Sequence, residues 1–104
     1  MEITPEELKS ALDSGKQVMI VDVREPAEHA ICRLINAKLI PLRDLAKRTP
    51  DLNQKDLIVL YCHHGIRSAQ AVLWLQRNGF KNVKNLQGGI DAWATTVDPS
   101  MKRY

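Results

Sequence analysis

The apolar residues of this chain cluster in short continuous runs that polar or helix-forming segments separate. The run at 57–61, with the sequence LIVLY, is apolar throughout, and the run at 18–23 is interrupted only by Asp22. Runs of this length are typical of strands buried on both faces of a parallel sheet. Shorter segments with two or three apolar residues each predict further strands at 1–4, 37–40 and 83–86.

Helical segments are predicted between these strands. Thr4 and Pro5 are typical of a helix start, and Ser14-Gly15 is typical of its end. Strong helix formers occupy 69–75, and Asn78-Gly79 follows as a stop signal. Shorter helices are predicted near Pro26, at 42–47 and at 90–94, and residues 98–104 are predicted to form an extended tail. Strands that alternate with helices indicate an α/β domain with a mostly parallel sheet.

The composition indicates a single domain, residues 1–104, because a chain of this length forms one core but not two. The hydrophobic fraction of 44% and the charged fraction of 26% are ordinary for a globular protein. The net charge of +3 comes without a long basic run, so we predict no nucleic-acid partner, although an anionic substrate is compatible with it. We also predict no membrane association, since no apolar stretch is long enough to span a bilayer.

The chain has two cysteines, Cys32 and Cys62, and no segment with the features of a signal peptide. Both are predicted to be free thiols in a cytoplasmic protein. The adjacent Cys62, His63 and His64 lack the ligand spacing of a tetrahedral metal site, so neither a metal nor another cofactor is predicted.

Cys62 directly follows the central apolar run. A short polar loop comes next, formed by His63, His64, Gly65, Ile66, Arg67 and Ser68. Because a helix is predicted after this loop, we expect Cys62 at the carboxyl end of a central strand, the edge at which open α/β sheets bind ligands. The alternative is an inert cysteine buried at a strand end.

The residues around Cys62 predict a reactive thiol. A free thiol has a pKa of about 8.5, and only the thiolate is a good nucleophile. The loop amides and the following helix N-terminus direct positive dipole ends toward this position, and Arg67 adds a full positive charge. Gly65 permits the backbone turn that the loop requires. A lowered pKa would make much of Cys62 a thiolate at neutral pH.

Other polar residues near this edge are candidates for supporting or lining roles. Asp22 lies near the end of a buried strand. One interpretation is that it holds an arginine or loop amides in place, and the other is that it caps the segment that follows. Arg24 is assigned a supporting role with it. His63 and His64 are expected to line the site for an anionic substrate, with general-base work as the alternative.

Three ordered motifs resemble the rhodanese domain, a sulfurtransferase family. Residues 21–28 (VDVREPAE) resemble its first signature, residues 62–68 (CHHGIRS) its active-site loop and residues 88–93 (GGIDAW) its closing motif. The resemblance implies a five-stranded, mostly parallel sheet with helices on both faces. Residues 32–37 (CRLINA) depart from the GHIPGA of many members. Residues 97–104 are similar to the ends of rhodanese domains fused to sulfur-carrier adenylyltransferases.

The resemblance also implies that Cys62 carries sulfur as a persulfide. Its thiolate would take the outer sulfur of a small anionic donor such as thiosulfate, and a protein or small thiol would then accept that sulfur. The amides of residues 63–68 are expected to hold the anionic persulfide, and Arg67 to seat the sulfonate of the donor. Cys32 either relays sulfur or only fills a turn.

Two other functions stay open at this point. A Cys-Arg phosphatase or arsenate reductase also places a cysteine of low pKa before a helix. Its loop is one residue longer than this one, in which four residues separate Cys62 from Arg67. The second alternative is a non-catalytic module that carries sulfur or binds a partner, although the presence of Cys62, Gly65 and Arg67 argues against it.

Overall fold

A computed structural model describes residues 1–104 and contains one five-stranded sheet. The strands are β1 (Glu2–Ile3), β2 (Val18–Asp22), β3 (Lys38–Leu39), β4 (Leu57–Tyr61) and β5 (Val83–Leu86). Their order across the sheet is β1-β5-β4-β2-β3, and every neighbouring pair is parallel. β4 therefore lies in the centre of the sheet, and the predicted α/β class is confirmed.

Five α-helices and two short 3-10 turns connect the strands. The helices are α1 (Pro5–Asp13), α2 (Pro26–Ile31), α3 (Leu45–Arg48), α4 (Ile66–Arg77) and α5 (Gly89–Thr96), and the turns are Leu42–Asp44 and Thr49–Asp51. One apolar core packs Leu45 of α3 and Ala71 of α4 against the sheet. A second core packs Leu8 of α1 and Trp93 of α5 against the opposite face, so helices cover both faces. None of the helices has the length and apolar character that crossing a membrane requires.

β4 contributes side chains to both cores because successive residues of a strand point to opposite faces. Ile58 and Leu60 belong to the core that contains α4. Val59 and Tyr61 belong to the core that contains α1 and α5. Every residue of β4 is buried, and this two-sided burial explains why the run is apolar without alternation.

Local sequence signals set the start of two helices. Thr4 Oγ1 accepts a hydrogen bond from the Glu7 N–H at 3.1 Å, and the Glu7 carboxylate accepts one from the Thr4 N–H at 2.8 Å. This reciprocal pair satisfies two backbone donors at the start of α1. Pro5 and Pro26 lie in the first turns of α1 and α2, where an N–H has no helical partner in any case.

The structure corrects the predicted start of α4. This helix begins at Ile66 rather than at position 69, so Ile66, Arg67 and Ser68 form its first turn instead of loop. Gly65 precedes the helix with a φ of 108°, a left-handed conformation that suits glycine and lets the helix start early. The apolar pattern missed this turn because the Ile66 side chain is 75% exposed and does not extend the apolar stripe.

The predicted extended tail is also wrong. The Met101 N–H donates to the Asp98 carbonyl at 3.0 Å in a turn. The chain then returns to the carboxyl edge of the sheet, where the Tyr104 ring stacks on the His63 ring with 3.9 Å between centroids. A local pattern could not predict this contact, because it joins residues far apart in the chain.

Candidate active site

The Cys62 sulfur lies at the floor of the turn between β4 and α4. The Gly65 N–H donates to Sγ at 3.1 Å, the Ser68 N–H lies 3.4 Å from it and the Ser68 hydroxyl 3.3 Å from it. Cys62 exposes only 1% of its surface, so the sulfur is enclosed, but these donors are turned toward it. The turn thus surrounds Sγ with groups suited to a negative charge.

The balance of these groups favours the thiolate. Burial raises the pKa of the Cys62 thiol, since desolvation disfavours its charged form. Hydrogen bonds from the Ser68 hydroxyl and from the Ser68 and Gly65 amides, together with the charge of Arg67, outweigh burial and lower that pKa below its usual value. Cys62 is therefore a better nucleophile near neutral pH than an unperturbed thiol.

Asn85 is a site residue that the sequence interpretation missed. Its side chain is buried on β5, where Nδ2 donates to the Gly65 carbonyl at 3.0 Å and Oδ1 lies 2.5 Å from Ser68 Oγ. The Ser68 hydroxyl has one proton, so it can donate either to Asn85 or to the Cys62 sulfur. Asn85 thus positions both the turn and the hydroxyl. A buried amide in a strand requires partners, and that requirement could have identified it.

The start of α5 holds the other side of the turn. The Ile90 N–H donates to the Cys62 carbonyl at 2.9 Å, and the Asp91 N–H donates to the His63 carbonyl at 3.1 Å. This approach depends on Gly89, where a Cβ would lie 2.3 Å from the His63 oxygen and 2.7 Å from the Cys62 oxygen. The closing GGIDAW motif therefore fixes the backbone that carries the thiol.

Asp22 and Arg24 form a buried ion pair beside the turn rather than a contact with Cys62. Arg24 donates to the Asp22 carboxylate through Nε at 2.9 Å and through Nη2 at 2.7 Å. The Tyr61 hydroxyl donates to the same carboxylate at 3.2 Å and accepts from the Leu34 N–H at 3.2 Å. Burial lowers the pKa of Arg24, but its bonds to Asp22 and Tyr104 raise it above the usual value, so Arg24 stays charged.

The Arg67 guanidinium is already paired. Its Nη1 and Nη2 donate to the two carboxylate oxygens of Glu28 at 2.8 and 2.9 Å. The Tyr104 hydroxyl donates to Glu28 Oε2 at 2.8 Å and accepts from Arg24 Nη1 at 2.9 Å. Glu28 and Tyr104 were not predicted as site residues, although Glu28 lies within the first signature motif. Hydrogen bonds from Arg67 are the main cause that lowers the pKa of Glu28, and bonds from the Glu25 N–H and the Tyr104 hydroxyl add to it. Together they outweigh the burial of Glu28 and lower its pKa to about 2.

The remaining loop side chains lie around the outside of the turn. The ring of His63 stacks on the rings of both His64 and Tyr104, and burial lowers the pKa of His63. Neither histidine ring is hydrogen-bonded to Cys62, and Ile66 faces solvent. No group of three or more His, Cys, Asp or Glu side chains is arranged to hold a metal ion.

Cys32 is in contact with the Arg24 guanidinium. Both cysteines are free thiols, and Cys32 is partly buried. Arg24 Nη1 lies 3.9 Å from its Sγ, and Arg24 Nη2 donates to its carbonyl oxygen. The contacts of Cys32 are therefore with Arg24, the Glu28 carbonyl and the second core, and no hydrogen bond joins it to Cys62.

Comparison with known proteins identifies relatives of the whole chain. The family model of the rhodanese-like domain matches residues 4–96 of this sequence. The chain is 42% identical over 104 residues to the probable adenylyltransferase/sulfurtransferase MoeZ of Mycobacterium tuberculosis, a match that covers 98% of this chain and 26% of that protein. It is 38% identical over 93 residues to a sulfurtransferase of Allochromatium vinosum, covering 89% of this chain and 87% of the relative.

Solved structures agree with this relationship. A rhodanese-like domain protein from Staphylococcus aureus superposes with a TM-score of 0.86 and 36% sequence identity, covering 100% of this chain and 99% of that one. The chain spans about a quarter of the length of MoeZ, so that match concerns one part of a larger protein. Both the sequence match and the superposition extend over the sheet and the cysteine turn, and the chain belongs to the rhodanese-like domain family.

Proposed function

We propose that this protein is a sulfurtransferase that carries sulfane sulfur on Cys62. The observation that carries the proposal is the turn that directs the Gly65 and Ser68 amides at an enclosed Sγ, with the Ser68 hydroxyl 3.3 Å from it. Such donors stabilise a thiolate and would stabilise the anionic outer sulfur of a persulfide in the same way. The 38% identity to the Allochromatium vinosum sulfurtransferase, over most of both chains, supports sulfur transfer.

In the first step, the Cys62 thiolate attacks the outer sulfur of a donor. A bond forms between Sγ and that sulfur while the bond to the rest of the donor breaks, and the electron pair leaves with the donor. From thiosulfate the leaving group is sulfite, and from a persulfide it is a thiolate. The enclosed position of Sγ favours a donor whose sulfur is a slender terminal atom.

In the second step, a thiophilic acceptor attacks the outer sulfur of the Cys62 persulfide. The Cys62 thiolate is now the leaving group, and the donors that lower its pKa also make it a better one. The acceptor is a small thiol or a protein thiol, and cyanide can replace it in an assay. Covalent transfer through one cysteine predicts ping-pong kinetics.

Intact-mass spectrometry after treatment with thiosulfate or glutathione persulfide tests this proposal. We expect one added sulfur atom that cyanide removes. Cys62→Ser should abolish the addition, whereas the matched variant Cys32→Ser should retain it. Sulfur that persists in Cys62→Ser would refute the persulfide mechanism. Hydrolysis of an aryl phosphate without any sulfur addition would favour a phosphatase instead.

A further inference from the structure

The cation beside Cys62 is not available to a substrate in the way that the sequence suggested. The charge of Arg67 acts on the Cys62 thiol, but both terminal nitrogens of its guanidinium are bound to Glu28. This fork-like pairing takes two of the five N–H donors of the guanidinium and offsets the positive charge that a sulfonate would need. A sulfonate-bearing donor must therefore compete with Glu28 for Arg67.

The Glu28 carboxylate is held firmly in this position. Besides the two bonds from Arg67, it accepts from the Glu25 N–H at 3.1 Å and from the Tyr104 hydroxyl at 2.8 Å. With a pKa of about 2, it stays ionised at any pH at which a thiol reacts. The Arg67 guanidinium thus has a permanent negative charge beside it.

From this arrangement we infer that Glu28 determines donor specificity, an inference that rests on the proposed sulfur transfer. By occupying Arg67, its carboxylate disfavours thiosulfate, which brings two negative charges and a sulfonate that requires a cationic partner. Persulfides of small thiols or of proteins are favoured instead, because their outer sulfur is attached through sulfur to carbon and has no sulfonate to seat.

The transfer from a persulfide balances without a further reactant. The Cys62 thiolate bonds to the outer sulfur of R–S–SH, and the bond between the two donor sulfurs breaks. The electron pair leaves as R–S⁻, and the proton stays on the transferred sulfur. The products are the Cys62 persulfide and a free thiolate, with no net oxidation or reduction.

The experiment compares steady-state turnover with thiosulfate and with glutathione persulfide for the full chain and for Glu28→Gln. Glutamine keeps the shape of the side chain but removes the charge that holds Arg67. We expect the ratio of kcat/KM for thiosulfate to kcat/KM for persulfide to rise roughly two- to fivefold, as a partly exposed ion pair of this kind warrants. The change should appear mainly as a lower KM for thiosulfate.

The matched control is Glu25→Gln, which removes the same charge from the residue preceding α2. Glu25 pairs with the exposed Arg43, so its loss leaves the Arg67 pair intact, and the donor ratio should not change. An equal gain in both variants, or an unchanged ratio in Glu28→Gln, would overturn the inference alone. Failure of both donors to place sulfur on Cys62 in the unmodified protein would instead overturn the proposed function and this inference with it.

Discussion

Replacing Gly89 by alanine tests whether the start of α5 supports the turn that holds Cys62. The backbone at Gly89 has a φ of +66°, and an added Cβ would lie 2.3 Å from the His63 carbonyl oxygen and 2.7 Å from that of Cys62. Atoms cannot approach so closely, so either α5 or the turn must move. The Ile90 and Asp91 amides that bind these two carbonyls would move with it.

The magnitude has two parts. A left-handed conformation costs an alanine about 1–2 kcal/mol relative to glycine. Overpacking that shifts the backbone adds about 1–3 kcal/mol. Gly15→Ala is a matched control for the first part, because Gly15 has a φ of +80° and no atom within 4 Å of its added Cβ. The difference between the two variants isolates the steric contact.

Urea unfolding and the rate of sulfur loading onto Cys62 measure the two consequences. We expect Gly89→Ala to lose about 1–3 kcal/mol more unfolding free energy than Gly15→Ala. We also expect it alone to load sulfur slowly, because displaced Cys62 and His63 carbonyls shift the turn around the sulfur. Equal stabilities together with equal loading rates would refute the idea that α5 supports the turn.

Two further variants test the site and its support. Ser68→Ala removes a donor that lowers the pKa of Cys62, so the thiolate fraction at neutral pH should fall. In a pH profile of the loading rate, the inflection should then move to higher pH. An unmoved inflection would contradict the role of the hydroxyl. Tyr61→Phe leaves the Leu34 N–H unpaired and removes a bond to Asp22, so urea unfolding should show a loss of about 1.5–3 kcal/mol. A loss under about 0.5 kcal/mol, as at an ordinary surface position, would show that the Leu34 N–H and the Asp22 carboxylate find other partners.

The position of Cys62 was predictable from sequence because its signals are local. The LIVLY run must be buried on both faces, which makes it a central strand, and Cys62 follows it at the edge where parallel strands end. Gly65 indicated the turn, and the structure shows its positive φ. These features depend on neighbouring residues, so a single sequence contains them.

The partners of the site depend instead on contacts between distant segments. Arg67 is hydrogen-bonded to Glu28, which lies 39 positions away in the sequence, and Tyr104 is hydrogen-bonded to Glu28 from 76 positions away. Asn85 meets Ser68 across 17 positions, when α4 has packed beside β5. Neither hydrophobic periodicity nor motif spacing predicts these contacts.

The amino-acid sequence by itself determined that a cysteine ends the central strand of an α/β sheet, since burial and chain direction follow from the order of apolar and polar residues. Only the tertiary structure decided which charges and hydroxyls surround that cysteine. The physical reason is that the bonds of Arg67, Tyr104 and Asn85 form only after the sheet has brought its loops to one edge.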